Sequence, residues 1–343
     1  MRLKTAESPL QGRTPGAKIS NLTFINISML SVLTFVFIAA SLIVPRFFSI
    51  TNVSNLIAQQ AEIIILGIGV TFLLITGYYD MSVGGIISMG AVLSAYFCQA
   101  QSSGGSELAS GLGLSYGAAI VLTLICCMLI GVINAFFIVR MKVNSVVVTL
   151  ATMALSRGIA MIGAKGAQRI TGLPPVFKQI GQFTVVGTIN LAVIIMIILL
   201  VIALIVESKT TFGRRIYLIG ANQVAAKLSG IKVEREVTVL YVISAFLAGV
   251  TGIIMASRFN AGNCSLGTGY EFDALVITVL GGTSIFGGFG SVTCAVVGAF
   301  IIGILSTSVN MLGFQPAMQY LVKGSVIVIA ILSQRFALDR RKV

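Results

Sequence analysis

The stretch ESKTTFGRRIYLIGANQVAAKLSGIKVERE, residues 207–236, decides how the chain is read. It is the longest polar interval between apolar runs after the N-terminal tail. It holds six of the 23 Lys and Arg: Lys209, Arg214, Arg215, Lys227, Lys232 and Arg235. Long apolar segments flank it on both sides, and a basic loop between membrane spans belongs on the cytoplasmic face. Its middle spells a short helix. Asn222 is a good N-cap, Ala225-Ala226-Lys227-Leu228 favours helix, and Gly230 is a natural stop. The loop is expected to present that helix to something in the cytoplasm.

Composition sets the class. The chain is 57% hydrophobic and 10% charged, with a mean hydropathy of +1.02, whereas soluble domains carry roughly 25% charged residues. Its apolar runs are continuous and about 20 residues long, the length of a helical span. An all-α polytopic membrane protein follows, because a helix satisfies its own backbone groups in lipid. A β-barrel would need short alternating segments instead. The net charge of +13 collects at span ends, which points to membrane topology and away from nucleic acid. The chain has no His, so imidazole ligation and His-based catalysis are absent. Its five Cys lack C-x-x-C spacing, four of them lie in apolar runs, and they read as packing residues with no metal site.

The runs divide into about ten transmembrane helices with short broken or re-entrant segments: 22–44, 56–76, 86–100, 114–139, 145–163, 188–206, 237–256, 272–285, 292–312 and 318–333. Residues 1–20 form a cytoplasmic tail, 21–335 the transmembrane domain, and 336–343 a second cytoplasmic tail. This topology puts 16 Lys and Arg inside and five outside, the five being Arg46, Lys165, Arg169, Lys178 and Arg258. Both termini are therefore expected in the cytoplasm. Two interrupted stretches, ITGYYDMSVGG and VLGGTSIFGGFG, share a layout that aligns Gly77 and Gly84 with Gly281 and Gly288. Paired broken segments mark the site in repeat-built transporters, and chance likeness between Gly-rich stretches explains the layout equally well.

The chain has no Gly-Lys pair, hence no phosphate-cradling G-x-x-x-x-G-K-[ST] loop. If ATP drives it, a partner must handle the ATP. Few residues remain to carry chemistry, and no catalytic set is found. Asp80 has two readings, a cap on the following helix near Val83 or a gating group, since an unpaired charge at membrane depth costs roughly 3 kcal/mol. Arg157 either pairs with a carboxylate or backbone carbonyls, or lines an aqueous path. Glu62 is the other deep charge. Glu271 and Asp273 either cap their helix or face a partner. Candidates for the path or its gate are Asp80, Ser82, Arg157, Asp273, Gly281 and Gly282.

Three stretches resemble the permease subunits of ribose-type carbohydrate ABC importers. GYYDMSVGG is close to that family's G-x-x-D-L-S-V-G element. TTFGRRIYLIGANQVAAKLSGIKV is similar to its cytoplasmic loop, T-x-x-G-R-x-x-Y-x-x-G-x-N-x-x-A-A-x-x-S-G-I. GTGYEFDALVITVLGGTSIFGGFGS looks like G-x-G-Y-E-L-D-A-I…V-L-G-G-T-S-x-x-G-G-x-G. PRFFSITNVSNLI and LSRGIAMI add to the likeness, which runs in order through the whole set of spans. Tyr78-Tyr79, Met81, Ala221 and Phe289 depart from the pattern and put the substrate in doubt, not the class. The resemblance implies a homodimeric pore in the bacterial inner membrane, a cytoplasmic ATPase that uses the ATP, and a periplasmic solute-binding protein that delivers a sugar or sugar-like solute. It implies that Gly213, Arg214, Asn222, Ala225, Ala226, Ser229 and Gly230 form the loop that docks on the ATPase. The permease itself then needs no cofactor. An ion-coupled secondary transporter using Glu62, Asp80, Arg157 or Asp273 is the alternative.

Overall fold

A computed structural model describes residues 16–100, 111–166, 168–182, 184–186, 189–315, 317–326 and 328. The Gly- and Ser-rich connection at 101–111, which has no Lys or Arg and is expected to be external, lies outside these residues but for Gly111, as do the C-terminal tail and most of the N-terminal tail. The apolar runs become helices: α1 (Gly16–Ile43), α2 (Ile50–Ile75), α3 (Val83–Cys98), α4 (Tyr116–Ala135), α5 (Ser145–Gly163), a single turn α6 (Gln179–Gln182), α7 (Leu191–Lys209), α8 (Thr211–Ala221), α9 (Gln223–Leu228), α10 (Val233–Phe259), α11 (Tyr270–Leu280) and α12 (Val292–Met311). Residues 317–326 are again helical. A 3₁₀ turn at Pro175–Lys178 and two short antiparallel pairs are the other elements among the described residues. Arg169–Ile170 pairs with Gly262–Asn263, and Thr184–Val186 with Ile189–Asn190. The first ties the connection after α5 to the one after α10, and the second folds the connection before α7 on itself.

Among the described residues, six helices are long and apolar enough to cross a membrane: α2, α4 with its π-helical extension to Arg140, α5, α7, α10 and α12. The all-α multi-pass reading is borne out. The broken segments also fall where the sequence put them. At about 1.5 Å per residue, the 11-residue α11 is only about 16 Å long, against a hydrocarbon core of ~30 Å.

Burial separates core from rim. In α2 and α10, 83% and 72% of the apolar stretch is buried, against 33% in α4, 28% in α5 and 22% in α7. α10 packs on α2, α3 and α4, and α2 packs in turn on α7, α11 and α12. Helices gain no hydrophobic driving force from lipid tails, so they must pack by close approach of small residues. α10 meets its neighbours that way. A Cβ on Gly69 of α2 would lie 2.9 Å from Ser244 Cα, and one on Gly131 of α4 would lie 2.6 Å from the Tyr241 carbonyl oxygen. The rim helices keep large apolar side chains outward, among them Ile125 and Leu129 of α4 and Ile198 and Ile202 of α7.

Charges at depth are neutralised within the chain. Arg157 on α5 pairs with Glu271 at 3.3 Å, Arg258 with Glu62 at 3.1 Å, and Lys323 with Asp273 at 2.8 Å. Of the two readings of Arg157, the pairing with a carboxylate is what the structure contains. Glu271 and Asp273 lie in the first turn of α11, where a helix N-terminus favours negative charge. Neither is its N-cap, which is Gly269.

The packing makes one direct expectation. Gly131→Leu, forced against the α10 backbone, costs about 1–3 kcal/mol or more by overpacking and lowers the melting temperature of the detergent-purified chain. Gly117→Leu, on the same helix with nothing within 4 Å of its added Cβ, leaves that temperature unchanged.

Candidate coupling site

The basic loop folds into two helices. Thr210 is extended, at φ −101° and ψ 158°, and its hydroxyl accepts the Gly213 N–H at 3.1 Å, ending α7 and starting α8. Gly213 sits in the corner because an added Cβ would run into the Val206 and Glu207 carbonyl oxygens. α8 went unseen in the sequence reading. Its signal was present, as Phe212, Ile216 and Ile219 make an apolar stripe with Arg214 and Arg215 off it. Ile216 and Ile219 are buried.

α9 forms as read. The Asn222 side-chain oxygen accepts the N–H groups of Val224 at 2.9 Å and Ala225 at 3.0 Å. At the other end, Gly230 takes φ +80°, its N–H donates to the Lys227 carbonyl, and the Ile231 N–H donates to the Ala226 carbonyl. That pair of bonds is a Schellman stop, in which a left-handed residue lets two orphan carbonyls be satisfied. Ala226 faces inward, while Val224 and Leu228 are 69% and 85% exposed. The Ser229 hydroxyl donates to the Ala225 carbonyl at 2.9 Å. Arg215 pairs with Glu236 at 2.8 Å and Lys227 with Glu234 at 3.0 Å, bracing the helix pair on α10.

The two interrupted stretches end their helices by the same device. After α2, Gly77 at φ +81° lets Gly77 and Tyr78 donate to Leu74 and Leu73. After α11, Gly282 at φ +105° lets Gly282 and Thr283 donate to Val279 and Thr278. The structural partner of Gly77 is thus Gly282, one residue later than the alignment on Gly281. Beyond the caps the stretches diverge. Gly84 lies inside α3, where a Cβ would strike the Glu271 carboxylate, whereas Gly288 lies in a turn at φ +76°.

Those two stretches and the basic loop converge. The Gly288 N–H donates to the Ile75 carbonyl at 2.8 Å. Gly220 of α8 lies against both, so that an added Cβ would overlap the Ile75 oxygen. The Tyr217 hydroxyl lies 2.7 Å from the Gly290 carbonyl and 2.6 Å from Glu207 Oε1, while Glu207 Oε2 accepts the Val292 N–H at 3.0 Å. Glu207 therefore sits at the N-terminus of α12 and also receives the loop's tyrosine. Burial, and then the Glu207 charge, push the Tyr217 phenol up, which keeps it a proton donor. Nothing in the sequence singles out Glu207, Tyr217 and Gly220 as site residues: the Glu207–Tyr217 contact is local, but the partners that tie it to the turn are 73 and 85 residues away, and Ile75 is 145 residues from Gly220.

Asp80 joins this assembly from the inside. Its Oδ1 accepts the Ser82 N–H at 2.9 Å and the Ser82 hydroxyl at 2.5 Å, and its Oδ2 accepts the Ser244 hydroxyl of α10 at 2.7 Å. Asn134 donates to Ser82 at 2.9 Å and accepts from Thr152 at 2.6 Å, extending the chain of bonds into α4 and α5. Asp80 thus accepts the N–H of Ser82, the residue at the N-cap, and does not reach Val83. Its second oxygen pins α3's entrance to α10. Tyr78 and Tyr79 act as ties. Tyr79 donates to the Ile285 carbonyl at 2.7 Å, Tyr241 donates to the Tyr79 carbonyl at 2.9 Å, and the Tyr78 ring meets Tyr241 edge-on at 6.4 Å. Arg157 is held by Glu271, which lies against Gly84 near the start of α3, and Asp273 is held by Lys323. The structure does not bring them to Asp80, Ser82, Gly281 and Gly282.

A protein family described as "Branched-chain amino acid transport system / permease component" matches residues 52–331. Among curated proteins, the "Ribose import permease protein RbsC" of Bacillus subtilis is 36% identical, covering 89% of this chain and 89% of its own. The "Galactose/methyl galactoside import permease protein MglC" of Escherichia coli is 30% identical, covering 87% and 90%. The "Xylose transport system permease protein XylH" of the same organism is 30% identical, covering 90% and 93%. No solved structure matches. The resemblance carried by the three sequence stretches is borne out, and the chain belongs to this family of transport-system permease components.

Proposed function

We propose that this chain is the membrane-spanning subunit of an importer for a sugar or sugar-like solute, driven by ATP hydrolysis in a partner. The observation that carries the reading is the bonded line from the exposed α8–α9 pair, through Tyr217 and Glu207, to the 281–292 turn. A chain without a phosphate cradle needs such a surface for force supplied from outside. The names of its relatives supply the substrate class. In this reading α9 docks on the ATPase, two copies of the chain enclose the path, and a solute-binding protein hands over cargo at the opposite end. The chain lies in the bacterial inner membrane with the 207–236 loop and both termini in the cytoplasm. Asp80, Ser82, Gly281 and Gly282 act at the hinge between loop and spans. No catalytic step and no cofactor are assigned to the chain itself.

Ion coupling is disfavoured by where the acids are. Glu62 and Asp273 are held by Arg258 and Lys323, Arg157 is held by Glu271, and Asp80 accepts from two serines. None of the four is left to bind a coupling ion without first giving up a partner.

Three outcomes are expected. Gly230→Arg meets nothing within 4 Å but must hold an L residue at φ +80°, so Gly230→Asn, which tolerates that angle better, is its control: relative to it the arginine variant loses at least tenfold in co-purification with the ATPase and in uptake. Docking at α9 is wrong if both persist. Tyr217→Phe removes the single phenol proton that Glu207 and the Gly290 carbonyl share, a hydrogen bond to a charged group worth roughly 1.5–3 kcal/mol, so the ATPase stays bound while solute uptake per ATP hydrolysed falls several-fold. In a variant whose native cysteines are replaced, Ser229→Cys resists a membrane-impermeant maleimide added to intact cells and reacts after lysis. Labelling of intact cells inverts the orientation.

A further inference from the structure

Far from the coupling site, a cavity of about 300 Å³ opens between α2, the start of α11, the end of α12 and the 317–326 helix. Gln60 is 15 residues before Ile75 on α2, so the cavity lies about 22 Å along the helix from the coupling turn. It is lined by Gln60, Tyr270, Asp273, Asn310, Gln319 and Lys323, with Ile63 and Ile302 as its apolar part.

Three features make it a built site. Gln60 is 4% exposed and its side-chain carbonyl oxygen has no hydrogen-bond partner, a state that costs free energy unless a ligand or water relieves it. Gly303 of α12 makes room for that carboxamide, since an added Cβ would press into its carbon and nitrogen. Asn310 and Gln319 are locked together at 2.5 Å across the mouth. The charges in the wall cancel, with Lys323 Nζ 2.8 Å from each Asp273 oxygen and Arg258 on Glu62. The cavity therefore offers amide and hydroxyl partners, two tyrosine rings, and no net charge. That chemistry suits a neutral polyhydroxylated molecule. It does not suit an aliphatic amino acid, whose side chain would need an apolar wall. The volume is at the small end of ligand pockets, in keeping with one monosaccharide.

We propose that this cavity is a subsite for a single neutral monosaccharide on its way across the chain, with Gln60 and the Asn310–Gln319 pair supplying its hydroxyl contacts. The proposal deepens the sugar-importer reading and rests on it for the identity of the cargo.

The chain contains no Trp, so Tyr320→Trp, at a lining residue that is 70% exposed, places a single reporter at the mouth. D-ribose, D-galactose, D-xylose and L-leucine are titrated into the detergent-purified full chain carrying it. At least one sugar is expected to give a saturable fluorescence change and L-leucine none. Gln319→Leu, at the rim, and Gly303→Ala, which displaces Gln60, each weaken that response at least tenfold, and Gln319→Leu does so without lowering the melting temperature. No response to any of the three sugars, meaning a cavity that holds only water, overturns the subsite. An equal response to L-leucine, or a sugar response that both variants leave unchanged, overturns it as well. Uptake of the same sugars by cells carrying the chain with its ATPase and solute-binding protein is measured in parallel. Uptake without a reporter response overturns the subsite alone. A reporter response without uptake overturns the importer reading and leaves the subsite standing.

Discussion

The Ile75 carbonyl receives the Gly288 N–H while Gly220 is pressed against both. Three segments far apart in sequence meet there with no side chain between them. Backbone at membrane depth must find its hydrogen bonds inside the protein, so a helix can stop there only if other segments or its own cap take over. α2 and α11 both stop within the bundle, and both do so on a Schellman cap. The residues that follow are then held by bonds from elsewhere: Tyr79 to Ile285, Tyr241 to Tyr79, and Tyr217 to Gly290. Glycine recurs in these stretches because caps and close approaches both exclude a Cβ. The interrupted segments are therefore a joint.

The distribution of charge obeys the same economy. An ion removed from water loses several kcal/mol of solvation, which only a well-placed partner offsets. The bundle places one at three deep acids: Arg258 at Glu62, Arg157 at Glu271, and Lys323 at Asp273. These pairs join α2 to α10, α5 to α11, and α11 to the 317–326 helix, so they also fix how the elements around α11 are set against one another. Asp80 lacks a cationic partner among these pairs and relies on hydroxyl and backbone donors from Ser82 and Ser244. The carboxylates by the joint, Glu207 and Asp80, are thus held by neutral donors, and Glu62, Glu271 and Asp273 by charges.

Much of this was legible in order along the chain. Continuous apolar runs gave the helices, and α5 begins and ends at the residues expected. Asn222 and Gly230 gave α9, because caps are local and a side chain two or three residues away is enough to satisfy a backbone group. What escaped was non-local. Glu207 reads as a charge at a span end, and nothing nearby in sequence shows that it meets the α12 N-terminus 85 residues on. Arg258 reads as an external loop charge until α10 is seen to carry it to Glu62. The one-residue slip between Gly281 and Gly282 has a similar cause. Either glycine fits the pattern, and only the backbone angle, −66° at Gly281 against +105° at Gly282, tells which is the cap.

The same three helices reach both the joint and the cavity. α2 carries Ile75 at one end and Gln60 about four turns away. α11 ends on the capped turn and begins at Tyr270 and Asp273. α12 starts under Glu207 and finishes at Ser306 and Asn310. These helices pack directly on one another, and close-packed helices shift as units because their interiors leave little room to deform. A displacement of the 281–291 turn therefore has few places to be absorbed between its origin and the cavity wall. α11, at 11 residues and with glycine at both ends, is the shortest of the three. If the α8–α9 pair is pushed or released, the turn bonded to Tyr217 passes the displacement to α11, whose first turn carries Tyr270 and Asp273. Force applied through Tyr217 would then be read out as a change in the shape of a polar cavity, with no side chain needing to cross the distance between them.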